Sequence, residues 1–479
     1  MKTIEVDVAV IGAGSAGLAA FRAARSHGVR TLLIERGPYG TTCARVGCMP
    51  SKLLIAAAEA AHAVSEAGGF GVLTEPPRID DVAVLARVRN ERDRFVGFVL
   101  DGVAQIDPTE RLTGRARFIG PQRLQVDEHT IVNAARIVIA TGSRPLIPPE
   151  YESLGDRLVT NDEVFDWTVL PASVAVIGAG VIGLEIGQAL HRLGVRVAVF
   201  GKGDKLAALS DPVVTAAAVA ALSAEFDVRL GTRSLKAVRA SGADGVQICS
   251  VDAGGTEHTE NFALVLCAVG RRPNLEELDL QHSGLALNRK GIPHFDRTTM
   301  QCGSSTVFIA GDADDERPLL HEAVDQGRIA GDNAGRFPAV APGLRRAGLG
   351  VVFCAPQIAL AGQAFKELTA GTFATGTVSF AEQGRARVMR QNRGVLHVYG
   401  EHGSGRILGA EMIGPRAEHL AHLLAWACQM RMTVRQMLDM PFYHPVIEEG
   451  LRTALRQLQE QLDAGMAAIE RCADCTPGM

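Results

Sequence analysis

Two segments of the chain, 166 residues apart, are near copies of each other. Residues 8–35 read VAVIGAGSAGLAAFRAARSHGVRTLLIE, and residues 174–201 read VAVIGAGVIGLEIGQALHRLGVRVAVFG. Each copy begins with an apolar, β-branched run, passes through G-x-G-x-x-G, continues with a helical pattern and ends in a second apolar run. This order predicts a strand, a helix and a parallel strand, twice over. The chain is therefore predicted to contain two α/β domains of the doubly wound, Rossmann-like type.

The glycines of both copies indicate dinucleotide sites. The first glycine of the motif makes a tight turn, the second lets a pyrophosphate approach the backbone, and the third lets the helix pack closely on the strand. The phosphates then lie at a helix N-terminus, where free N–H groups and the helix dipole favour negative charge. The predicted residues are Gly12, Gly14 and Gly17 in the first copy and Gly178, Gly180 and Gly183 in the second.

The two copies differ at the end of their second strand. Glu35 ends the first copy and is placed to accept a hydrogen bond from a ribose 2′-hydroxyl. Gly201 stands there in the second copy and is followed by Lys202, whose cation suits a 2′-phosphate. We therefore expect an unphosphorylated adenosine ribose at the first site. At the second site we expect NADP(H) to be accepted at least comparably with NAD(H).

Composition excludes several classes of protein. Of 479 residues, 47% are hydrophobic and 21% charged, which excludes a disordered chain. The formal net charge of −4 argues against binding to nucleic acid. The apolar start carries Glu5 and Asp7, unlike an export signal, and the uncharged segment 167–184 fits strand–turn–helix better than a membrane span. We expect a cytoplasmic protein with neither a nucleic-acid nor a membrane partner.

Cysteines are sparse, but four of the nine form two close pairs. Cys43 and Cys48 lie in GTTCARVGCMPSKLL, where Pro50 and the apolar periodicity after it predict a helix that begins near Cys48. A cysteine at a helix N-terminus has a lowered thiol pKa. The first pair therefore indicates a redox-active disulfide beside the first dinucleotide site. The second pair, Cys472 and Cys475, lies near the end of the chain.

Seven motifs follow one another along the chain: GAGSAG, TTCARVGCMPSK, ATGS, GAGVIGLE, AVGRRPN, IAGDA and HPVIEEGL. Together they resemble the motifs of the pyridine nucleotide–disulfide oxidoreductases, which include dihydrolipoamide dehydrogenase, glutathione reductase and mercuric reductase. The resemblance covers essentially the whole chain. It implies FAD at the first site, NAD or NADP at the second, no resident metal ion, and a last domain that forms a homodimer.

The pattern of strand-like and helical segments along the chain predicts an order of domains, to which the resemblance adds the cofactors. Residues 1–150 are expected to form the first part of an FAD-binding domain, and residues 151–268 an NAD(P)-binding domain. Residues 269–345 would return to the FAD-binding domain, and residues 346–479 would form an α+β dimerisation domain. In this last domain we expect strands within 351–362, 385–391, 395–400 and 407–414 and helices at 416–430 and 446–470.

Catalytic roles carry over from the family residue by residue. Cys48 matches the sulfur that faces the flavin, and Cys43 the sulfur that exchanges with the substrate. Lys52 resembles a lysine beside the flavin, and Glu185 its carboxylate partner near the nicotinamide. His444 resembles the catalytic acid–base, which reaches the active site from the other subunit.

Glu449, five residues after that histidine, is expected to orient the imidazole and raise its basicity. Asp312, at the carboxyl end of a strand, would bind the ribityl chain of the flavin. The expected FAD-binding residues are Gly12, Gly14, Gly17, Glu35, Thr42, Lys52, Thr141, Gly142, Gly311 and Asp312. Those expected at the nicotinamide nucleotide are Gly178, Gly180, Gly183, Glu185, Lys202 and Gly270.

The resemblance is strongest to dihydrolipoamide dehydrogenase. It implies electron transfer between NAD(P), FAD, the Cys43–Cys48 disulfide and an external dithiol such as a lipoyl group. Val181 favours this branch over glutathione reductase, which has a tyrosine there, and His444 favours it over mercuric reductase, which lacks that histidine. Four positions depart from the family pattern and leave the disulfide substrate open: Thr41, Arg45, Phe442 and Val446.

Two alternative functions remain. The first is an NADPH-dependent reductase of another disulfide or of a metal ion. It would use Cys472 and Cys475, which resemble the carboxy-terminal pair of mercuric and large thioredoxin reductases. The second is a non-catalytic flavin-binding interaction protein, which the complete set of two cysteines, histidine and glutamate disfavours.

Overall fold

The computed structural model describes residues 1–240 and 244–465. The first sequence repeat opens a sheet in which β1 and β2 run parallel, with Val8 opposite Thr31 and Ile11 opposite Ile34. Residues 8–11 of β1 are buried, as the apolar run predicts. The elements up to residue 145 are β1 (Lys2–Ile11), α1 (Ser15–Arg25), β2 (Thr31–Glu35), α2 (Thr42–Val46), α3 (Cys48–Glu66), α4 (Asp81–Ala104), β3 (Arg111–Thr113), β4 (Ala116–Gly120), β5 (Arg123–Val126), β6 (Thr130–Ile139) and β7 (Ser143–Pro145).

The second repeat opens a separate, five-stranded parallel sheet. Its elements are β8 (Leu158–Val159), α5 (Asn161–Val164), β9 (Ser173–Ile177), α6 (Val181–Arg192), β10 (Arg196–Phe200), α7 (Pro212–Ser223), β11 (Asp227–Arg229), β12 (Ser234–Arg239), β13 (Val246–Val251), β14 (Glu257–Phe262) and β15 (Leu264–Cys267). The parallel order is β11-β10-β9-β15-β8, and β12, β13 and β14 form an antiparallel sheet beside it.

After this second sheet the chain returns to the first. It crosses back through β16 (Arg271–Pro273), which pairs antiparallel with β7, and reaches β17 (Val307–Ile309) and α8 (Leu320–Arg336). The strand β17 lies parallel to β6 and completes a seven-stranded sheet, in which the other six strands have the order β3-β2-β1-β6-β5-β4. The division after residues 150, 268 and 345 stays a prediction.

The last part of the chain forms an antiparallel sheet with helices. Its elements are β18 (Leu349–Val352), β19 (Gln357–Gly362), β20 (Phe373–Ser379), α9 (Gly384–Val388), β21 (Val395–Glu401), β22 (Ile407–Gly414), α10 (Ala417–Gln429), α11 (Val434–Leu438) and α12 (Glu448–Gly465). The strand order is β18-β19-β22-β21-β20. The predicted class, two doubly wound α/β parts followed by an α+β part, is confirmed.

Two local predictions in this last part were wrong. The run 385–391 alternates charged and apolar residues, which mimics a strand, but the Gln383 side chain accepts from the Ala386 N–H at 2.7 Å and starts the helix α9. The strand β20 was missed because FATGTVS contains small polar residues and carries no strong apolar alternation.

In the first part of the chain, the predicted helix beginning near Cys48 is α3, in which Pro50 is the third residue rather than the first.

One hydrophobic core connects all three parts of the chain. Leu54 of α3 and Leu184 of α6 belong to this cluster, together with Val352 and Ile358 from the last sheet. The helix that begins at Cys48 is therefore held against the first helix of the second repeat. Among the described residues, no helix is long and apolar enough to cross a bilayer.

Candidate active site

The first glycine turn is shaped for a dinucleotide. Gly12 has a φ of 103°, which L side chains rarely adopt, and a Cβ there would lie 2.3 Å from the carbonyl oxygen of Ala140. A Cβ at Gly17 would lie 1.8 Å from the carbonyl oxygen of Gly12. Nothing lies within 4 Å of the Cβ position of Gly14, so the space before the N-terminus of α1 is open to a phosphate.

Glu35 ends β2 beside this turn. One carboxylate oxygen accepts from the Ala13 N–H at 2.6 Å, and the other accepts from the Gly37 N–H at 2.9 Å. A carboxylate has about four lone-pair sites, so each oxygen keeps one for a ribose hydroxyl. The backbone contacts hold the carboxylate in place for that role.

A cavity of about 310 Å³ extends from the same turn, and the predicted residues Gly12, Gly14, Glu35, Thr42, Thr141 and Gly142 line it. The hydroxyl of Thr141 is buried and has no hydrogen-bond partner among the described residues. At the neighbouring strand end, Asp312 accepts from the Ser143 hydroxyl at 2.7 Å, and the Gly311 N–H donates to Gln326 at 2.7 Å. The open glycine turn, the oriented carboxylates and the unpaired hydroxyl fit the phosphates and hydroxyls of FAD.

The second glycine turn has the same shape. Gly178 has a φ of 115°, and a Cβ there would lie 2.3 Å from the carbonyl oxygen of Ala268. A Cβ at Gly183 would lie 2.0 Å from the carbonyl oxygen of Gly178. Gly180 precedes α6, and nothing lies within 4 Å of the Cβ position of Gly270 across the strand ends. This geometry suits the nicotinamide nucleotide.

Gly201 has a packing reason to be glycine. A Cβ there would lie 2.5 Å from Leu230 Cδ2 and 3.1 Å from Ala179 Cβ. Lys202, the next residue, is exposed. The second site therefore has a steric reason, in addition to any preference for NADP, to lack a side-chain carboxylate that would bind the ribose 2′-hydroxyl.

The two sulfurs of the first cysteine pair lie on consecutive helices. Cys43 is in the first turn of α2, Cys48 is the first residue of α3, and both are free thiols in this structure. The hydrogen bond from the Cys43 thiol lowers the pKa of Cys48 to about 7; burial opposes this, and the Lys52 ammonium adds to it. The same hydrogen bond raises the pKa of Cys43. Cys48 is therefore the thiolate of the pair and Cys43 the thiol.

Lys52 and Glu185 form an ion pair beside these thiols. Lys52 Nζ lies 2.7 Å from Glu185 Oε2, and the glutamate side chain is only 5% exposed against 34% for the lysine. The other glutamate oxygen accepts from the N–H of Phe353 at 2.9 Å. The structure thus joins the predicted pair and adds a partner from the last sheet.

His444 and Glu449 also meet. The Nδ1 of His444 lies 3.0 Å from each oxygen of the Glu449 carboxylate, and the hydrogen bond lowers the pKa of Glu449. The His444 side chain is 80% exposed, whereas that of Glu449 is 19% exposed. Within the described residues of one chain, no hydrogen bond joins His444 to either cysteine. The histidine therefore faces outward, with its carboxylate behind it.

Sequence reasoning missed two partners in the site. Ser143, which donates to Asp312, lies in the ATGS motif, so the signal was present. Phe353 has no sequence signal, because its contact with Glu185 arises from the packing of distant elements.

Among the departures from the family pattern, Thr41 has a φ of 58°, a region that favours glycine, and its hydroxyl accepts from the Ala44 N–H at 3.3 Å. Cys472 and Cys475 lie outside the described residues.

Comparison with known families agrees with this geometry. Residues 6–327 match the model named pyridine nucleotide-disulphide oxidoreductase, and residues 349–455 match the dimerisation domain of the same group. The chain belongs to the pyridine nucleotide-disulphide oxidoreductase family. It is therefore a flavoprotein oxidoreductase that binds FAD and uses NAD(P), and it carries the family's dimerisation domain.

Members of the family with different substrates are about equally similar to the chain. A mercuric reductase of Acidithiobacillus ferrooxidans is 32% identical over 94% of this chain and 82% of its own length. A dihydrolipoyl dehydrogenase of Thermus scotoductus is 31% identical over 96% of this chain and 98% of its own length. Identity to these relatives does not select between their substrates.

Solved structures show the same fold. LpdA of Mycobacterium tuberculosis has a TM-score of 0.80 at 24% identity, covering 95% of this chain and 100% of its own. The HOCl-induced flavoprotein disulfide reductase RclA of Escherichia coli has a TM-score of 0.79 at 21% identity, covering 95% and 99%. At these identities the likeness concerns the fold alone.

Proposed function

We propose that this oxidoreductase acts on a dihydrolipoyl dithiol, or on the lipoyl disulfide in the reverse direction. The observation that carries the proposal is a cavity of about 440 Å³ at Cys43. Most of its lining is apolar, including Leu18, Met49, Phe95, Phe98, Leu320 and Val324. Arg22 is the charged member of this lining.

An apolar cavity suits a dithiol on an aliphatic chain, because burying such a chain is favourable while burying charges is costly. Glutathione disulfide carries several carboxylates and ammonium groups, and this lining offers them little compensation. A bound mercuric ion needs further soft ligands, and Cys43 is the only thiol that the described residues contribute to the lining. The cavity therefore favours the lipoyl group over both.

Cys43 and Cys48 have distinct proposed roles. When the substrate dithiol is oxidised, one of its sulfurs attacks, as a thiolate, Cys43 Sγ of the Cys43–Cys48 disulfide, and Cys48 leaves as a thiolate. Its lowered pKa makes it the better leaving group. The second substrate sulfur, deprotonated in turn, then attacks the substrate sulfur of the mixed disulfide, which closes the substrate disulfide and releases Cys43 as a thiolate. Of the two protons that the dithiol loses, one ends on Cys43 and the other passes to solvent. FAD, when bound, supplies the two-electron carrier between the reduced pair and NAD(P).

Proton transfer is assigned to His444 of the partner subunit in a homodimer. Its imidazole is exposed and has Glu449 behind it, which suits a group that takes the first thiol proton and returns one to Cys43. The dimerisation-domain match supports the dimer. So do exposed apolar side chains of the same domain, Trp426, Met430 and Tyr443.

Steady-state kinetics test the substrate directly. Purified holoenzyme is assayed with dihydrolipoamide and lipoamide, with glutathione disulfide and with mercuric ion, each with NAD(H) and NADP(H). We expect kcat/KM for the lipoyl substrates to exceed that for glutathione disulfide by at least about 100-fold, the effect of leaving buried charges unpaired. A preference for glutathione disulfide or mercuric ion would refute the proposal.

The second candidate is an NADPH-dependent reductase of a metal ion or a larger disulfide. Similarity to mercuric reductase and the pair Cys472 and Cys475 favour it. In that case the terminal cysteines would exchange with Cys43 and carry electrons outward. The same kinetic assay distinguishes the candidates, because only this one requires mercuric ion or large disulfides to be the better substrates.

A further inference from the structure

The loop between β18 and β19 reaches from the dimerisation domain to the ion pair of the active site. Two side chains of α6, three residues apart, hold this loop. Glu185 Oε1 accepts from the Phe353 N–H at 2.9 Å, and Gln188 accepts from the Ala355 N–H at 2.7 Å. The Gln188 amide also donates to the carbonyl oxygen of Ala355 at 2.7 Å. Because Glu185 and Gln188 are buried, the loop is fixed at this point.

The aromatic ring of Phe353 lies against Lys52. The Nζ of Lys52 is 4.6 Å from the ring centroid, within the distance at which an ammonium is attracted to an aromatic face. The same ammonium contacts Glu185 Oε2 at 2.7 Å. One residue of the dimerisation domain thus contacts both members of the pair, the carboxylate through its N–H and the ammonium through its ring.

We propose that Phe353 is a positioning residue that holds Lys52 and Glu185 in their ion pair beside Cys48. The inference rests on the proposed roles of these three residues. Lys52 is one-third exposed, so without the ring its ammonium keeps only its contacts with Glu185 and Ser51 and turns more often toward solvent. The Cys43 thiol and the Lys52 ammonium both lower the pKa of Cys48, whereas burial and the Glu185 carboxylate raise it. When the ammonium moves away its favourable effect on the thiolate weakens with distance, while the opposing carboxylate stays in place.

A titration of the Cys48 thiolate tests this role. In two-electron-reduced holoenzyme, the Cys48 thiolate beside oxidised flavin should give a long-wavelength charge-transfer band whose intensity follows the ionisation of Cys48. Phe353→Leu removes the ring and keeps the backbone N–H. We expect the midpoint of the band to rise by about half a pH unit, the size of a partly exposed cation–π contact.

Matched variants isolate the ring. Phe353→Tyr keeps the aromatic face and should restore the wild-type midpoint. Phe70→Leu removes another ring that lies near a cation, since the Arg390 guanidinium carbon is 5.7 Å from the Phe70 centroid, and it should leave the midpoint unchanged. In a Lys52→Met background, Phe353→Leu should cause no further rise, because the two changes act through one interaction.

The outcomes separate this inference from the proposed function. If wild-type enzyme shows no thiolate band, the assigned role of Cys48 fails. If the band is present but its midpoint is the same in wild type and Phe353→Leu, or rises equally with and without Lys52, the inference about Phe353 is overturned. Should the leucine variant lose FAD, Phe353→Met, which also lacks an aromatic face, takes its place in the same titration.

Discussion

A buried hydrogen bond of 2.7 Å joins Asp211, at the N-terminus of α7, to His397 of the dimerisation domain. The same carboxylate oxygen accepts from the Tyr399 hydroxyl at 2.9 Å, and the other oxygen caps α7 by accepting from the Val213 N–H at 2.9 Å. Burial alone would raise the pKa of Asp211, but the hydrogen bonds, that of His397 first, hold it below its ordinary value. One carboxylate therefore joins a helix start to a strand of another domain.

Asp211→Ala should lower the free energy of unfolding by about 3 kcal/mol, since it removes a helix cap and leaves buried donors unpaired. Asp80→Ala is the matched control, because Asp80 caps α4 at the surface by accepting from the Ala83 N–H at 2.9 Å. Asp80→Ala should lower the free energy of unfolding by about 1 kcal/mol. Denaturant unfolding at neutral pH measures both, and equal losses would contradict the buried role.

The stabilisation by Asp211 has a defined pH dependence. A carboxyl whose pKa is lower in the folded state than in the unfolded state stabilises the fold above the unfolded-state pKa. That contribution disappears as the pH falls through the folded-state pKa. The difference in stability between wild type and Asp211→Asn should therefore be full at neutral pH and shrink on acidification below the ordinary aspartate range.

Cys48→Ser should abolish both the charge-transfer band and disulfide turnover while leaving FAD bound. Cys43→Ser, which keeps the flavin-facing sulfur, should retain a band and lose turnover. Because the pKa of Cys48 is about 7 in the dithiol form, the wild-type band should be strong above that pH and fade below it as the thiolate is protonated. A band that persists in Cys48→Ser would show that the sulfurs are assigned the wrong way round.

His444→Ala should lower disulfide turnover about 100- to 10,000-fold, the usual contribution of a general acid–base. Glu449→Gln should lower it less, since the imidazole remains. Reduction of the flavin by nicotinamide nucleotide alone, followed by stopped-flow absorbance, should survive in both. His258→Ala serves as control, because it removes another exposed histidine paired with a carboxylate, 3.0 Å from Asp252. Wild-type turnover in His444→Ala would eliminate the proposed role.

Nucleotide choice is tested at Lys202 rather than at Gly201. Lys202→Ala should raise the KM for NADP(H) about threefold to fivefold and leave that for NAD(H) unchanged, as expected for one exposed cation. Gly201→Glu alone should weaken the binding of both nucleotides, because the new Cβ would clash with Leu230. The double variant Gly201→Glu with Leu230→Ala should regain the binding of NAD(H) but not that of NADP(H). A wild-type enzyme that ignores NADP(H) at millimolar concentration would refute the expectation that NADP(H) is accepted at least comparably with NAD(H).

Truncation after Arg471 removes Cys472 and Cys475, which lie outside the described residues. If lipoyl substrates enter the apolar cavity at Cys43 directly, lipoamide turnover should be unchanged. Reduction of mercuric ion and of larger disulfides should be unchanged as well. Selective loss of those larger substrates would instead establish an electron relay through the tail, and Cys472→Ser with Cys475→Ser should then reproduce it.

Features with local causes could be predicted from the sequence. The turns at Gly12 and Gly178 follow from steric rules within one βαβ unit, so the motif alone locates them. The pairing of His444 with Glu449 is also local, since five residues separate the two. Of the contacts that depend on packing between domains, the Lys52–Glu185 pair was expected only from the family resemblance, and the contacts of Phe353 were missed. Phe353 meets Lys52 only after the last sheet docks on α6, and no spacing in the sequence encodes that contact.

Pairing of β17 with β6 has a consequence for synthesis on the ribosome. The outer edge of β6 at Ile137–Ile139 stays unpaired until Val307–Ile309 has emerged, after the entire second parallel sheet. The region that contains the second parallel sheet begins after β7 and ends before β16. Because these two strands pair with each other, this region can fold as a unit while the first sheet is still incomplete. A nascent chain stalled before residue 307 should therefore expose a bare apolar strand edge, which makes this interval the vulnerable one for aggregation and for chaperone capture.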